Sequence, residues 1–175
     1  MTEPTLVVIS GPSGAGKTTL AHELASAVPC PAICRDEIKE GMVHAVGEFA
    51  AAPGDELTRR TFPVFFAVLR LLLEAQVSVV AEAAFQDHLW RPNLEPLAEL
   101  ARVRIIQCHA EVATLLARRV ERGTRAAHAD GLMIEAGVGH DAEFRHLSLA
   151  VPSLDVDTTA GYKPELSDIV AFINS

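Results

Sequence analysis

Residues 11–18, GPSGAGKT, constrain this chain more than any other stretch. Their spacing, GxxxxGK[ST], follows the β-branched run 5–10 (TLVVIS) and precedes Leu20, Ala21, Leu24, Ala25 and Val28, which recur at helical spacing. Strand, loop, helix is the context in which such a loop holds phosphate. Glycines let successive backbone N–H groups turn into one concavity, and the helix adds the positive end of its dipole. Gly11, Pro12, Ser13, Gly14, Ala15, Gly16 and Thr19 then build the cradle, Lys17 reaches the outer phosphates and Thr18 ligates Mg2+. The expected cofactors are ATP and Mg2+. A ligand-free glycine turn is the competing reading, and the flanking elements count against it.

Beyond the loop, β-like and helical segments alternate. Residues 31–34, 77–82, 103–108 and 153–157 read as strands, and helices are expected over 36–46, about 57–72, 92–101, 111–122 and 164–173. Leu57, Thr61, Val64, Phe65, Val68 and Leu72 form the expected inner stripe of the third helix, which Pro63 kinks or delays. In the helix over 111–122, Val112, Leu115, Leu116 and Val120 are expected to face inward. Residues 123–139 have weak periodicity and four glycines, and read as a mobile flap. No repeat or linker interrupts the order. Repeated strand–helix units demand a parallel sheet with helices on both faces, so residues 1–175 are expected to form one α/β domain.

Composition narrows the function classes. With 175 residues, 49% apolar and 22% charged, the chain has the make-up of an ordinary globular protein. Its longest apolar stretch, 62–73, is broken by Arg70, and no basic region followed by an apolar run opens the sequence, so a cytoplasmic protein is expected. Cys30, Cys34 and Cys108 show neither CxxC nor Cys/His zinc spacing and read as reduced thiols, with no structural metal implied. The net charge of −8 argues against a nucleic-acid partner and suits a small substrate. No oligomerisation signal is readable.

The other strand ends decide what the loop serves. An NKxD base-reading motif, an LSGGQ signature and the hhhhDE strand of a longer motor are all missing. Arg35-Asp36 stand just after strand two, Glu82 at the end of strand three, and Arg118, Arg119, Arg122 and Arg125 after strand four. A carboxylate after strand two faces the ligand crevice at the carboxyl ends of the strands, so Asp36 is a candidate general base; an N-cap role fits it equally well. Arg35 and Lys39 flank it and either orient an acceptor or sit on a solvated helix start. Glu82 is placed for metal or acceptor contact or for a structural pair. Arg118 and Arg122, four residues apart, share one helix face suited to anions. Phe85, His88, Trp90 and Phe49 are candidates for lining an acceptor pocket. His128, His140 and His146 populate the flap region without a standard metal spacing.

GPSGAGKTTLAHEL, CRDEIKEGM, LLARRVERG and LDVDTT, in that order, resemble the zeta-toxin-like and chloramphenicol-phosphotransferase-like group of P-loop kinases, and more loosely gluconate, shikimate and adenylate kinases. The N-terminal third is also similar to the 5′-kinase domain of phage polynucleotide kinase. The resemblance implies a five-stranded parallel sheet of order 2-3-1-4-5 and an arginine-bearing lid over about 118–140. It implies that Asp36 accepts the hydroxyl proton, and that Glu82 stands where relatives place an aspartate holding a magnesium-bound water. It sets Arg118 against the adenine, Arg122 on the phosphates and Thr159 in the loop around the adenine. Lys39 occupies a position where polynucleotide kinases carry an arginine, and lysine lacks the planar fork. The implied activity is transfer of the γ-phosphoryl group of ATP to a hydroxyl of a small molecule: an antibiotic, a sugar or a nucleoside-like compound. The alternatives are a nucleotide or polynucleotide 5′-kinase and a non-catalytic ATP-binding regulator.

Overall fold

β1 (Thr5–Ser10) is buried along its whole length, which makes it the axis on which the remaining elements are layered. In this computed structural model, residues 3–52, 54–122 and 144–175 are described, Arg122 by its backbone alone. The expected flap over 123–139 lies outside them, as does most of the expected lid, with Arg125, His128 and His140. After β1 come α1 (Lys17–Ala27), β2 (Ala32–Cys34), α2 (Arg35–Val46), α3 (Glu56–Glu74) and β3 (Val79–Glu82). Then follow α4 (Asp87–Leu94), a 3-10 turn (Glu95–Glu99), β4 (Arg102–His109), α5 (Val112–Arg122), β5 (Ser153–Asp157) and α6 (Leu166–Asn174). The five strands pair in the order β2-β3-β1-β4-β5, all parallel, as expected.

Alternation along β1 splits the core into two layers. Leu6 and Val8 pack with Phe65, Leu69 and Leu73 of α3 and with Trp90 and Leu94 of α4. Val7 and Ile9 face the other way, onto Leu20 and Leu24 of α1, Leu115 of α5 and Ile169 and Ile173 of α6. A smaller cluster, Val43 and Leu57 with Met42 and Phe49, joins α2 to α3. The register sets Cys34 opposite Glu82, Glu82 opposite Ile9 and Ile9 opposite Ile106, so the carboxyl ends of four strands reach one edge together.

Three helices differ from the expectation. α3 starts at Glu56 and carries Pro63 inside it, so the proline does not delay it; the cost is one missing N–H bond. Its buried stripe is Leu57, Thr61, Phe65, Leu69 and Leu73, a strict i+4 row, while Val64 is exposed. The helix expected over 92–101 begins instead at Asp87, and Pro96, which cannot donate to the preceding turn, converts its continuation to 3-10 geometry. Among the described side chains of α5 only Leu115 is buried; Val112, Leu116 and Val120 are 61%, 47% and 68% exposed.

Candidate active site

The loop between β1 and α1 is held by close backbone contact. Gly11 has φ 147° and Gly14 φ 86°. A Cβ on Gly11 would stand 2.2 Å from the Cys108 carbonyl oxygen, and one on Gly14 2.6 Å from that of Leu115, so no larger residue fits either position. Gly16, also at positive φ, is the N-cap of α1, which begins at Lys17. The first turn of a helix thus opens directly from the loop, with its unpaired N–H groups at the rim.

Two arginines of α5 brace this loop from behind. Arg119 donates to the Ser13 carbonyl through Nε (2.9 Å) and Nη2 (2.7 Å). Arg118 Nη1 donates to the Gly14 carbonyl (3.3 Å) and to Thr158 Oγ1 (3.0 Å), and its Nη2 reaches the Thr158 carbonyl. The buried Thr158 hydroxyl is also bonded to the Ala15 and His109 carbonyls, both at 3.2 Å. Arg118 and Arg119 are three and four residues beyond Leu115, the buried residue of α5, so they lie on its inward side. A reading of α5 that turns its apolar residues inward hides this. The signal that could have found Arg119 is its i+4 relation to Leu115 alone. The side chain of Arg122 is outside the description.

At the floor of the site, Glu82 is 3% exposed. Its Oε2 accepts from the Thr18 hydroxyl at 3.1 Å, and its Oε1 lies 3.8 Å from Lys17 Nζ, which also donates to the Pro12 carbonyl at 3.0 Å. Burial raises the pKa of this carboxyl, Lys17 and Thr18 pull it back down, and the charges of Asp36 and Glu37 push it up. A buried carboxylate beside a threonine hydroxyl is an all-oxygen donor pair of the kind Mg2+ takes together with water and phosphate oxygens. These two residues therefore fit the ion.

Asp36 stands in the first turn of α2, with Cys34 and not Asp36 as the N-cap. Its carboxylate is 44% exposed and accepts from Arg35 Nη1 at 2.9 Å. Arg35 also reaches the Thr58 carbonyl of α3 (3.4 Å), and its buried Nε has no hydrogen-bond partner among the described residues. Lys39 is buried, its ammonium above the Phe49 ring and 2.7 Å from Oδ2 of Asp55, whose carboxylate caps the start of α3 by accepting from the Thr58 amide. Burial would raise the pKa of Asp55, but Lys39 and the Thr58 amide outweigh it and hold the group at about 2.

Phe85 is a correction. Its side chain is fully buried, with its ring 4.7 Å from that of Trp90 and 5.9 Å from that of Phe65, so it offers no surface to an acceptor; it serves the core. Thr159, expected near the adenine, has its hydroxyl engaged by the Glu111 amide (3.0 Å), and its neighbour Thr158 faces the loop. A cleft of about 430 Å3 opens between the loop and β5, lined among others by Gly14, Gly16, Thr19, Arg118, Thr158 and Tyr162. Burial, helped by Glu23, pushes the Tyr162 phenol up to about 12, so it remains a neutral hydrogen-bonding group.

Among the described residues no helix is long and apolar enough to cross a membrane. No curated protein matches the sequence. Solved structures do. A candidate kinase from Chloroflexus aurantiacus J-10-fl superposes with a TM-score of 0.79 at 23% identity, over 99% of this chain and 98% of that one. A gluconokinase from Sinorhizobium meliloti 1021 gives 0.63 at 19% identity, over 99% and 94%. The APS kinase of Mycobacterium tuberculosis, in complex with AMPPNP and APS, gives 0.68 at 14% identity, over 100% of both chains. A family model described as an AAA domain, AAA_33, matches residues 6–136. The chain therefore belongs to the AAA_33 family and has the P-loop kinase fold.

Proposed function

We propose that this protein is an ATP-dependent phosphotransferase that moves the γ-phosphoryl group to a hydroxyl of a small molecule. The observation that carries this is the row at the carboxyl edge of the sheet: Asp36 two residues past Cys34, Cys34 opposite Glu82, and Glu82 joined to Thr18 and Lys17. A proton acceptor, a metal-binding pair and a phosphate-binding cation thus share one crevice. The neighbours named as gluconokinase and APS kinase support the same reaction class.

Mg2+, when bound, would be held by Thr18 Oγ1 and Glu82 and would neutralise charge on the phosphate oxygens. Lys17 swings from the Pro12 carbonyl to the transferring group, and Asp36 takes the proton from the attacking hydroxyl. Arg35, anchored on the Thr58 carbonyl, donates to the Asp36 carboxylate and so holds it toward that hydroxyl. Arg118 and Arg119 hold the loop in shape, so that its N–H groups need no reorganisation as charge moves. ADP formation measured with sugars, antibiotics and nucleosides tests the reading. Acceptor-dependent turnover is expected. Fast acceptor-independent hydrolysis, or tight ATP binding with no turnover on any acceptor, would overturn it.

A further inference from the structure

Three side chains of metal-ligating type converge where α1, β2 and α2 meet, to one side of the Thr18–Glu82 pair. His22 lies one helical turn beyond Thr18, Cys34 closes β2, and Glu37 is in the first turn of α2. His22 Nε2 is 2.7 Å from Glu37 Oε1 and 3.9 Å from Cys34 Sγ, and the three ligand atoms all lie within 4.8 Å of one another. Ligands bound at about 2.0–2.3 Å to a tetrahedral ion stand roughly 3.3–3.6 Å apart, so an ion enters if the imidazole and carboxylate part by about half an ångström and the thiol draws in toward both.

The donor set decides which ion. One sulfur, one imidazole nitrogen and one carboxylate oxygen suit a borderline metal, whereas Mg2+ takes oxygen ligands and keeps its waters. A thiolate and a carboxylate neutralise a divalent charge. The buried Cys34 forms the floor, while the His22 and Glu37 side chains, 52% and 45% exposed, form an open mouth through which an ion arrives and a water completes the fourth position. Cys34 and Glu37 are three residues apart but His22 comes 12 residues before Cys34 on another element, so the set matches no standard ligand spacing. An ion pair between His22 and Glu37, and the hydrogen bonds of the Cys34 thiol to the Glu37 and Glu82 carboxylates, hold the three groups together in the absence of an ion.

We infer that His22, Cys34 and Glu37 form a binding site for Zn2+ or a metal of similar softness, distinct from the magnesium pair. As the S–Zn bond forms, the Cys34 thiol proton passes to solvent and no electrons are exchanged. The bound ion ties α1 to the first turn of α2, the turn that carries Asp36.

The test needs neither nucleotide nor acceptor, so its outcome is independent of the phosphotransfer reading. Metal-stripped protein in excess Mg2+ is titrated with Zn2+ against a chromophoric chelator, and with Co2+ followed by absorption. A single Zn2+ bound per chain, a thiolate-to-cobalt charge-transfer band and a rise of Tm with Zn2+ are expected. Cys34→Ser should abolish the band, and Cys34→Ser and His22→Gln should each weaken Zn2+ binding at least about tenfold. His22 is half exposed on α1, so that variant stays informative if Cys34→Ser fails to fold. No bound Zn2+, or His22→Gln binding it as tightly as the parent, would overturn the inference.

Discussion

The phosphate loop and the first turn of α2 flank Glu82 on its two sides in the sheet, yet they are supported in different ways. The loop is pressed against the Cys108 and Leu115 backbone through Gly11 and Gly14, and Arg118, Arg119 and Thr158 bond its carbonyls from behind. The turn bearing Asp36 packs Ile38 against the main core and is tied to α3 through the smaller Val43–Leu57 cluster and the Lys39–Asp55 pair, with the Asp36 carboxylate 44% exposed. The contrast suits the chemistry. A donor whose charge must be stabilised is best met by dipoles that do not reorganise. In the proposed transfer, the acceptor side presents the more exposed carboxylate, that of Asp36, and the donor side the buried one, that of Glu82.

Lys17→Ala would break the donor side most. ATP-dependent thermal stabilisation should vanish and kcat/KM should fall about 10³-fold, while the apo fold is kept. Unchanged nucleotide affinity would remove the loop from the mechanism. On the acceptor side, Asp36→Asn should lower kcat about 10²-fold with the ATP Kd unaltered; turnover within a few fold of the parent would end its assignment as the base. A smaller loss is expected from Arg119→Ala, about tenfold in ATP affinity, because the Ser13 carbonyl loses its brace and the loop must be ordered on binding. Isothermal titration of that variant shows whether the brace is worth this.

The smallest effect on turnover belongs to the pair beneath the acceptor side. The folded pKa of Asp55, about 2, lies below its ordinary value of 3.8. Its stabilisation is therefore present in full above about pH 4 and is lost as pH falls through about 2. Urea midpoints measured down this range should drop more for the parent than for Asp55→Asn, with neutral-pH kinetics nearly unchanged. Equal slopes would show that the Lys39 bond contributes nothing to α2–α3 docking.

Much of the fold was legible because its signals are local. Strands β1 and β5 are read to the residue from their composition, and the loop between a strand and a helix is set by backbone sterics at Gly11 and Gly14. The placement of Asp36 just after β2 and of Glu82 at the end of β3 was legible for a related reason: in a parallel sheet the carboxyl ends of the strands reach one edge, so position in the chain predicts position in the fold. Phe85 and Lys39 were not. Both follow strand ends as Asp36 does, but one ring completes an aromatic cluster with Trp90 and one ammonium finds Asp55, 16 residues later.

By itself the sequence determined the layered architecture and the phosphate-binding loop, since both follow from short-range periodicity and from the glycines' freedom of φ. Only the tertiary structure decided which face of α5 turns inward. Hydrophobicity favoured Val112, Leu116 and Val120, yet the carbonyls of Ser13 and Gly14 are satisfied by Arg119 and Arg118, and a helix can present only one face. The same holds for the arrival of His22 from α1 beside Cys34 and Glu37, a proximity that only the packing of α1 on β2 and α2 creates.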